Sequence, residues 1–177
     1  MSDEIPCAGV FYTPKSERPP VLADFAAELA DQGIRVGGVV QMVRVNDEGI
    51  KSGIDAIELD TGRRIPVNRP TEESRAAKEC TLQPHSLSDS TVAIRRALDA
   101  GVDLIVIEKF GEQEQKGKGM ADDIMAALAS GIPTLVAVPE DGAEVWEEVT
   151  GGLVGRLPYD MGALRSWWKE RQEKSEG

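Results

Sequence analysis

Histidine is nearly absent from this chain, with His85 alone, and cysteine occurs twice, as Cys7 and Cys80. Each scarcity excludes a class of chemistry. A structural zinc site needs four ligands, and Cys80 with His85 in "ECTLQPHSLSD" offers two, so no dedicated metal cage is expected. Two thiols so distant in sequence read as free rather than disulfide-bonded. Positive charge is also short: 20 Lys and Arg face 31 Asp and Glu, a formal net charge of −11. Such a surface repels phosphate backbones and anionic lipid, which argues against nucleic-acid and membrane partners. No apolar run approaches the roughly 20 residues that cross a bilayer. The acidic start "MSDEIPCAG" lacks the basic and apolar regions of a signal peptide, so a cytoplasmic protein is expected.

Glycine is missing where a nucleotide site would need it. "GVFYTPKSERPPVLADFAAELADQG" has the order of a phosphate-binding loop: an apolar strand, a short loop with Lys15-Ser16, then a helical pattern. The usual pattern G-x-x-x-x-G-K-[ST] needs its glycines so that backbone N–H groups can curl around phosphate. Here Pro14, Pro19 and Pro20 each remove an N–H, and Lys15 and Ser16 read as surface residues. The expectation is that no intact phosphate-binding loop is present.

What is there points to an α/β fold. With 177 residues, 41% apolar and 29% charged, the chain suits one soluble domain, read as 1–170 with a charged tail at 171–177. "CAGVFY" is a strand; Val21, Leu22, Phe25, Ala26 and Leu29 fall at helical spacing up to Gly33; "RVGGVVQMVRV" (35–45) is a second strand. Residues 54–69 read as an antiparallel hairpin around Thr61-Gly62. The segment 70–85 is polar and without period, and predicts a mobile flap. Beyond it, helix and strand alternate: a helix capped by Ser88 or Asp89 and stopped by Gly101, the strand "LIVI", the helix "GMADDIMAALASG", the strand "IPTLVAVPE", the helix "GAEVWEEVTGG", the strand "LVGRLP" and a last helix. That alternation predicts a three-layer, mainly parallel sheet with a β-hairpin insertion.

Ligands of open α/β sheets bind beyond the carboxyl ends of strands. There "LIVIEKFGEQEQKGKGMADDI" places Glu108, Lys109 and a loop with Gly111, Gly117 and Gly119, followed by a helix whose amino end favours anions. Lys109, Lys116 and Lys118 are a local exception in an acidic chain, with a solvated loop as the plain alternative. Lys109 is expected to be the electrostatic centre of the site. Arg63, Arg64, Arg69 and Arg75 surround the hairpin and the irregular segment, and either close over an anion or are solvated. Neighbouring Ser86, Ser88, Ser90 and His85 do not make a triad, which is a matter of geometry. Asp122 and Asp123 suit a helix start; Trp146, Trp167 and Trp168 suit core packing or a subunit interface, which leaves a homo-oligomer open.

Glu108, Lys109, Phe110, Gly111 and Glu114 are similar to the second motif of P-loop nucleoside-triphosphatases, an apolar strand followed by Asp-Glu-Ile-Gly and a later Glu. By that resemblance Glu108 stands where magnesium is supported, while Lys109 stands in place of the catalytic glutamate and cannot act as a base. More closely, residues from about 5 to 160 resemble the bacterial family known as domain of unknown function 2478. The resemblance rests on Gln41 after the second strand, the "TGRRI" hairpin, Cys80, and the loop of Phe110, Gly111, Glu114, Gly117 and Gly119. It implies a degenerate P-loop-hydrolase fold and a setting among molybdenum-transport genes. The reading is a non-hydrolytic binding protein for a small oxyanion or phosphate-bearing ligand such as molybdate, tungstate or phosphate, rather than an enzyme. Its binding residues would be Lys109, Phe110, Gly111, Glu114, Gly117, Lys118, Gly119, Arg69, Arg75 and Cys80. No cofactor is indicated. The alternatives are a nucleoside-triphosphatase or nucleotide transferase using Glu108 and Glu114 at magnesium, and a non-catalytic interaction protein.

Overall fold

The computed structural model describes residues 6–13, 21–68, 84–108 and 110–176. Along the chain these form β1 (Cys7–Tyr12), α1 (Val21–Asp31), β2 (Val36–Val45), β3 (Lys51–Glu58), β4 (Arg64–Asn68), α2 (Pro84–Ala100) and β5 (Leu104–Glu108). A one-turn α3 (Glu112–Gln115), α4 (Ala121–Ala129), β6 (Thr134–Pro139), α5 (Ala143–Thr150), β7 (Gly155–Pro158) and α6 (Met161–Glu176) follow. The strands make one sheet in the order β4-β3-β2-β5-β6-β1-β7. The pairs from β2 through β7 are parallel, while β2–β3 and β3–β4 are antiparallel.

All five residues of β5, "LIVIE", are buried, as expected of a strand covered on both faces. Its side chains alternate between two cores. Leu104 and Val106 join Ala8, Val10, Leu135 and Ala137 beneath α1 and α6. Ile105 and Ile107 join Val39, Val136 and Val138 beneath α2, α4 and α5. The five predicted apolar positions of α1, Val21, Leu22, Phe25, Ala26 and Leu29, are all buried, each aliphatic or aromatic one contributing roughly 1.5–3 kcal/mol. Trp146, Trp167 and Trp168 are buried as well. The Cys7 thiol donates to the Ile132 carbonyl, and burial pushes its pKa up, so it stays protonated and inert.

Gly38 lets β2 approach β5. Its φ is +106°, and a Cβ there would collide with the Val106 carbonyl oxygen. On its far side β2 carries the β3–β4 hairpin, whose corner is fastened to α2. Arg96 Nε and Nη2 donate to the two Asp60 oxygens at 2.6 and 2.9 Å, and Nη2 also lies 3.3 Å from the buried Glu58. Thr61 Oγ1 donates to Glu58 at 2.7 Å.

One sequence expectation changes and two gain detail. Helix α2 begins at Pro84, so Ser88 and Asp89 lie inside it rather than at its amino end; proline is tolerated in a first helical turn, where its missing N–H costs little. His85 and Ser86 therefore belong to the helix, and the remainder of the expected flap, 70–83, lies outside the described residues. Asp123 is buried and accepts from Arg95 Nε at 2.9 Å, so it ties α4 to α2 beyond any effect on the helix dipole. Helix α6 continues through Glu176, across the residues read as a tail. No described helix is long and apolar enough to cross a membrane.

Candidate functional site

Adjacent strands β1 and β6 send their connections to opposite faces of the sheet. The chain after β1 leads to α1, packed in one core, and the chain after β6 leads to α5, whose Trp146 lies in the other. Such a reversal opens a crevice at the carboxyl ends of the two strands, where open α/β sheets bind ligands. Tyr12 and Pro139 stand at its edge. Residues 14–20, which hold Lys15 and Ser16, lie outside the described residues.

Glu108 ends β5 on the same side of the sheet and is 2% exposed. The β2–β5 register stops at Val39↔Ile107, and β2 continues past the end of β5. The next N–H that faces β5 is that of Gln41, and the Glu108 carboxylate takes it through Oε1 at 2.8 Å. Tyr159, just beyond β7, donates its hydroxyl to Oε2 at 3.0 Å and meets the Tyr12 ring edge-on at 5.7 Å. Donors far apart in sequence, from β2 and from just beyond β7, thus fix the carboxylate. Sequence reasoning missed Tyr159; the available signal was a polar aromatic directly after the last strand. Gln41 was singled out, but it is the backbone N–H that bonds, while its side-chain Oε1 is buried without a partner among the described residues.

The loop after β5 brings Phe110, Gly111, Glu114, Gly117, Lys118 and Gly119 together. Phe110 is buried, its N–H donates to the Ala137 carbonyl at 2.8 Å, and its ring meets Trp146 edge-on at 5.1 Å. Glu114, 7% exposed, accepts from the Gly111 N–H at 2.9 Å and from the Met120 N–H at 3.0 Å. One carboxylate therefore staples both ends of the loop, with the α3 turn between them. Four residues are too few to carry a period, so α3 was not legible. Gly117 and Gly119 have positive φ, and a Cβ at Gly119 would collide with Glu114 Oε2. The spacing of this motif is that of a self-closing loop. Lys116 and Lys118 are exposed at its tip. Lys109, Arg69, Arg75 and Cys80 lie outside the described residues.

The chain aligns with a curated relative, "Molybdenum import ATP-binding protein ModC 2" of Bradyrhizobium diazoefficiens, at 38% identity over 94% of this chain and 18% of that protein. A second, "Nucleoside-triphosphatase THEP1" of Pyrobaculum aerophilum, is 29% identical over 58% of this chain and 56% of its own length. The chain thus spans under a fifth of the first relative and little more than half of the second. The crystal structure of THEP1 from Aquifex aeolicus superposes with a TM-score of 0.52 at 14% identity, covering 88% of this chain and 87% of that one. Its likeness shows an α/β fold with a mostly parallel sheet, similar to that of THEP1. With residues 7–167 matched by the family's sequence profile, the chain belongs to the family described as protein of unknown function DUF2478.

Proposed function

We propose that this chain binds a tetrahedral oxyanion group in the crevice at the carboxyl ends of β1, β6 and β5, and holds it without hydrolysis. The group is either the phosphate of a nucleotide or a free oxyanion such as molybdate or tungstate. The observation that carries the reading is the Glu108 carboxylate, at the position of a P-loop magnesium-supporting acid yet with both oxygens already accepting from Gln41 and Tyr159. Glu114, the other acid of the motif, spends both oxygens on backbone N–H groups. Lys109 follows Glu108 directly and supplies positive charge where a hydrolase needs a base. In this reading Lys109, the backbone of Gly111, Gly117 and Gly119, and Lys118 meet the anion, with Arg69, Arg75 and Cys80 as further candidates. The match to part of a molybdenum import protein supports a place in molybdate or tungstate handling.

Titration calorimetry with molybdate, tungstate, sulfate, Mg-ATP and Mg-ADP, beside an assay of phosphate release, tests the proposal and separates free oxyanion from nucleotide. The expected result is saturable binding of one class, weakened by roughly 2–5 kcal/mol in Lys109→Ala, the range for truncating one side of a buried charge pair. Steady ATP turnover abolished by Glu108→Gln would make the chain a nucleoside-triphosphatase, the reading favoured by its likeness to THEP1. No binding by any of these ligands would leave an interaction domain.

A further inference from the structure

The hydrogen bond between Tyr159 and Glu108 joins strands that are not neighbours. The sheet order places β6 and β1 between β5 and β7, so at about 4.8 Å per strand the outer two stand roughly 14 Å apart. Parallel pairing aligns Glu108 with Ala137, Ala137 with Val10, and Val10 with Leu157, in one row across the four strands. Tyr159 lies two residues beyond Leu157 and packs with it against the core that holds Val10, Tyr12 and Ala137. Its hydroxyl nevertheless reaches Glu108 Oε2 at 3.0 Å. The bond therefore runs over the carboxyl ends of β6 and β1, across the crevice itself. Ala137, between them in the row, is fully buried and has only a methyl side chain.

The two ends of this bridge are held differently. Glu108 is 2% exposed and also accepts the Gln41 N–H at 2.8 Å. Tyr159 is half-buried and sits in the two-residue link between β7 and α6, with the Tyr12 ring edge-on at 5.7 Å. The strand that carries it is four residues long and lies at the sheet edge. An anion entering at the ends of β1 and β6 meets the tyrosine hydroxyl and, behind it, a carboxylate charge. A phenol has one proton to donate, so the hydroxyl cannot serve Glu108 and an incoming oxyanion at once.

We propose that Tyr159 is a strap across the crevice that an anion must release to enter, so that its hydrogen bond to Glu108 sets the affinity of the site. This rests on the oxyanion reading above and adds to it the residue that controls access. Tyr159→Phe keeps the ring and removes the bond. Titrated with molybdate, tungstate and Mg-ATP, it is expected to bind at least about fivefold tighter than wild type, because a bond to a charged acceptor no longer has to break. A second readout follows the ring itself. The chain has two tyrosines, Tyr12 and Tyr159, so 3-fluorotyrosine gives two ¹⁹F resonances, assigned by their losses in Tyr12→Phe and Tyr159→Phe. In wild type the same titrants should increase the broadening of the Tyr159 resonance by a neutral gadolinium chelate, as the ring leaves Glu108. That measurement decides the matter should Tyr159→Phe fold poorly, since Tyr12→Phe also makes the assignment. Equal or weaker binding in Tyr159→Phe, or broadening that the bound titrant leaves unchanged, would overturn the strap while the oxyanion reading stands. Binding by Tyr159→Phe alone would support the strap, as the sign of a crevice that wild type keeps shut. No binding by either protein would remove the oxyanion reading and the strap with it.

Discussion

Replacing Glu114 by glutamine tests whether one carboxylate closes the loop after β5. The wild-type side chain accepts two buried backbone N–H groups, those of Gly111 and Met120. Glutamine keeps one acceptor and turns an NH₂ toward the second N–H, so one charge-assisted bond is lost and a buried donor is left unmet. A bond to a charged group contributes about 1.5–3 kcal/mol, and an unmet buried donor costs about 1–3 kcal/mol. The two terms overlap, which gives a destabilisation of about 2–4 kcal/mol. Against the 5–15 kcal/mol typical of a domain the variant stays folded, and its Tm falls by roughly 4–16 °C. Urea unfolding measures the loss, and amide exchange at Gly111 and Met120 locates it. A double-mutant cycle sharpens the result. Gly119→Ala in the wild-type background drives a methyl into Glu114 Oε2, whereas in Glu114→Ala the positive-φ strain, about 1–2 kcal/mol, and a tight approach to the Gln113 Cβ remain. Stability within about 0.5 kcal/mol of wild type for Glu114→Gln, or strict additivity of the pair, would refute the staple.

Gly38→Ala should cost at least about 3 kcal/mol, because the new methyl meets the Val106 carbonyl oxygen at a φ of +106°; a urea midpoint near wild type would show that β2 does not need this close approach. Arg96→Met should destabilise by about 1–3 kcal/mol, discounted for an arginine that is 40% exposed. The Arg96 hydrogen bonds hold the Asp60 carboxyl below the usual carboxylate range, so its stabilisation is full above the ordinary Asp value near 4 and fades as pH falls through the lowered folded one. The gap between wild type and Arg96→Met should accordingly narrow on acidification in urea titrations, and a gap independent of pH would contradict the pairing. Tyr159→Phe should cost roughly 1–3 kcal/mol by removing a donor from the buried Glu108 carboxylate; an unchanged thermal midpoint would mean that this hydrogen bond contributes little to stability.

The sequence by itself determined the elements whose signal is local. Helix α1 was legible because its buried positions recur at helical spacing, and β5 because an apolar run of strand length ends abruptly in charge. The Thr61-Gly62 turn announced the hairpin, and the alternation after residue 84 announced a parallel sheet. The glycines of the 110–120 loop were visible too, but their purpose was not. That Glu114 binds its own loop depends on where two backbone N–H groups point after folding, and no spacing rule encodes that. Glu108 was picked out as a strand-end acid, yet its partners come from 67 residues upstream and 51 downstream. Only the sheet order, which sets β2 beside β5 and carries the chain to Tyr159 beyond β7, brings them together. The β2–β3 pairing and the Arg96 clasp on Asp60 belong to the same class. Composition and period act over a few residues, whereas hydrogen-bond partners across a sheet are chosen by register, which tertiary packing alone decides.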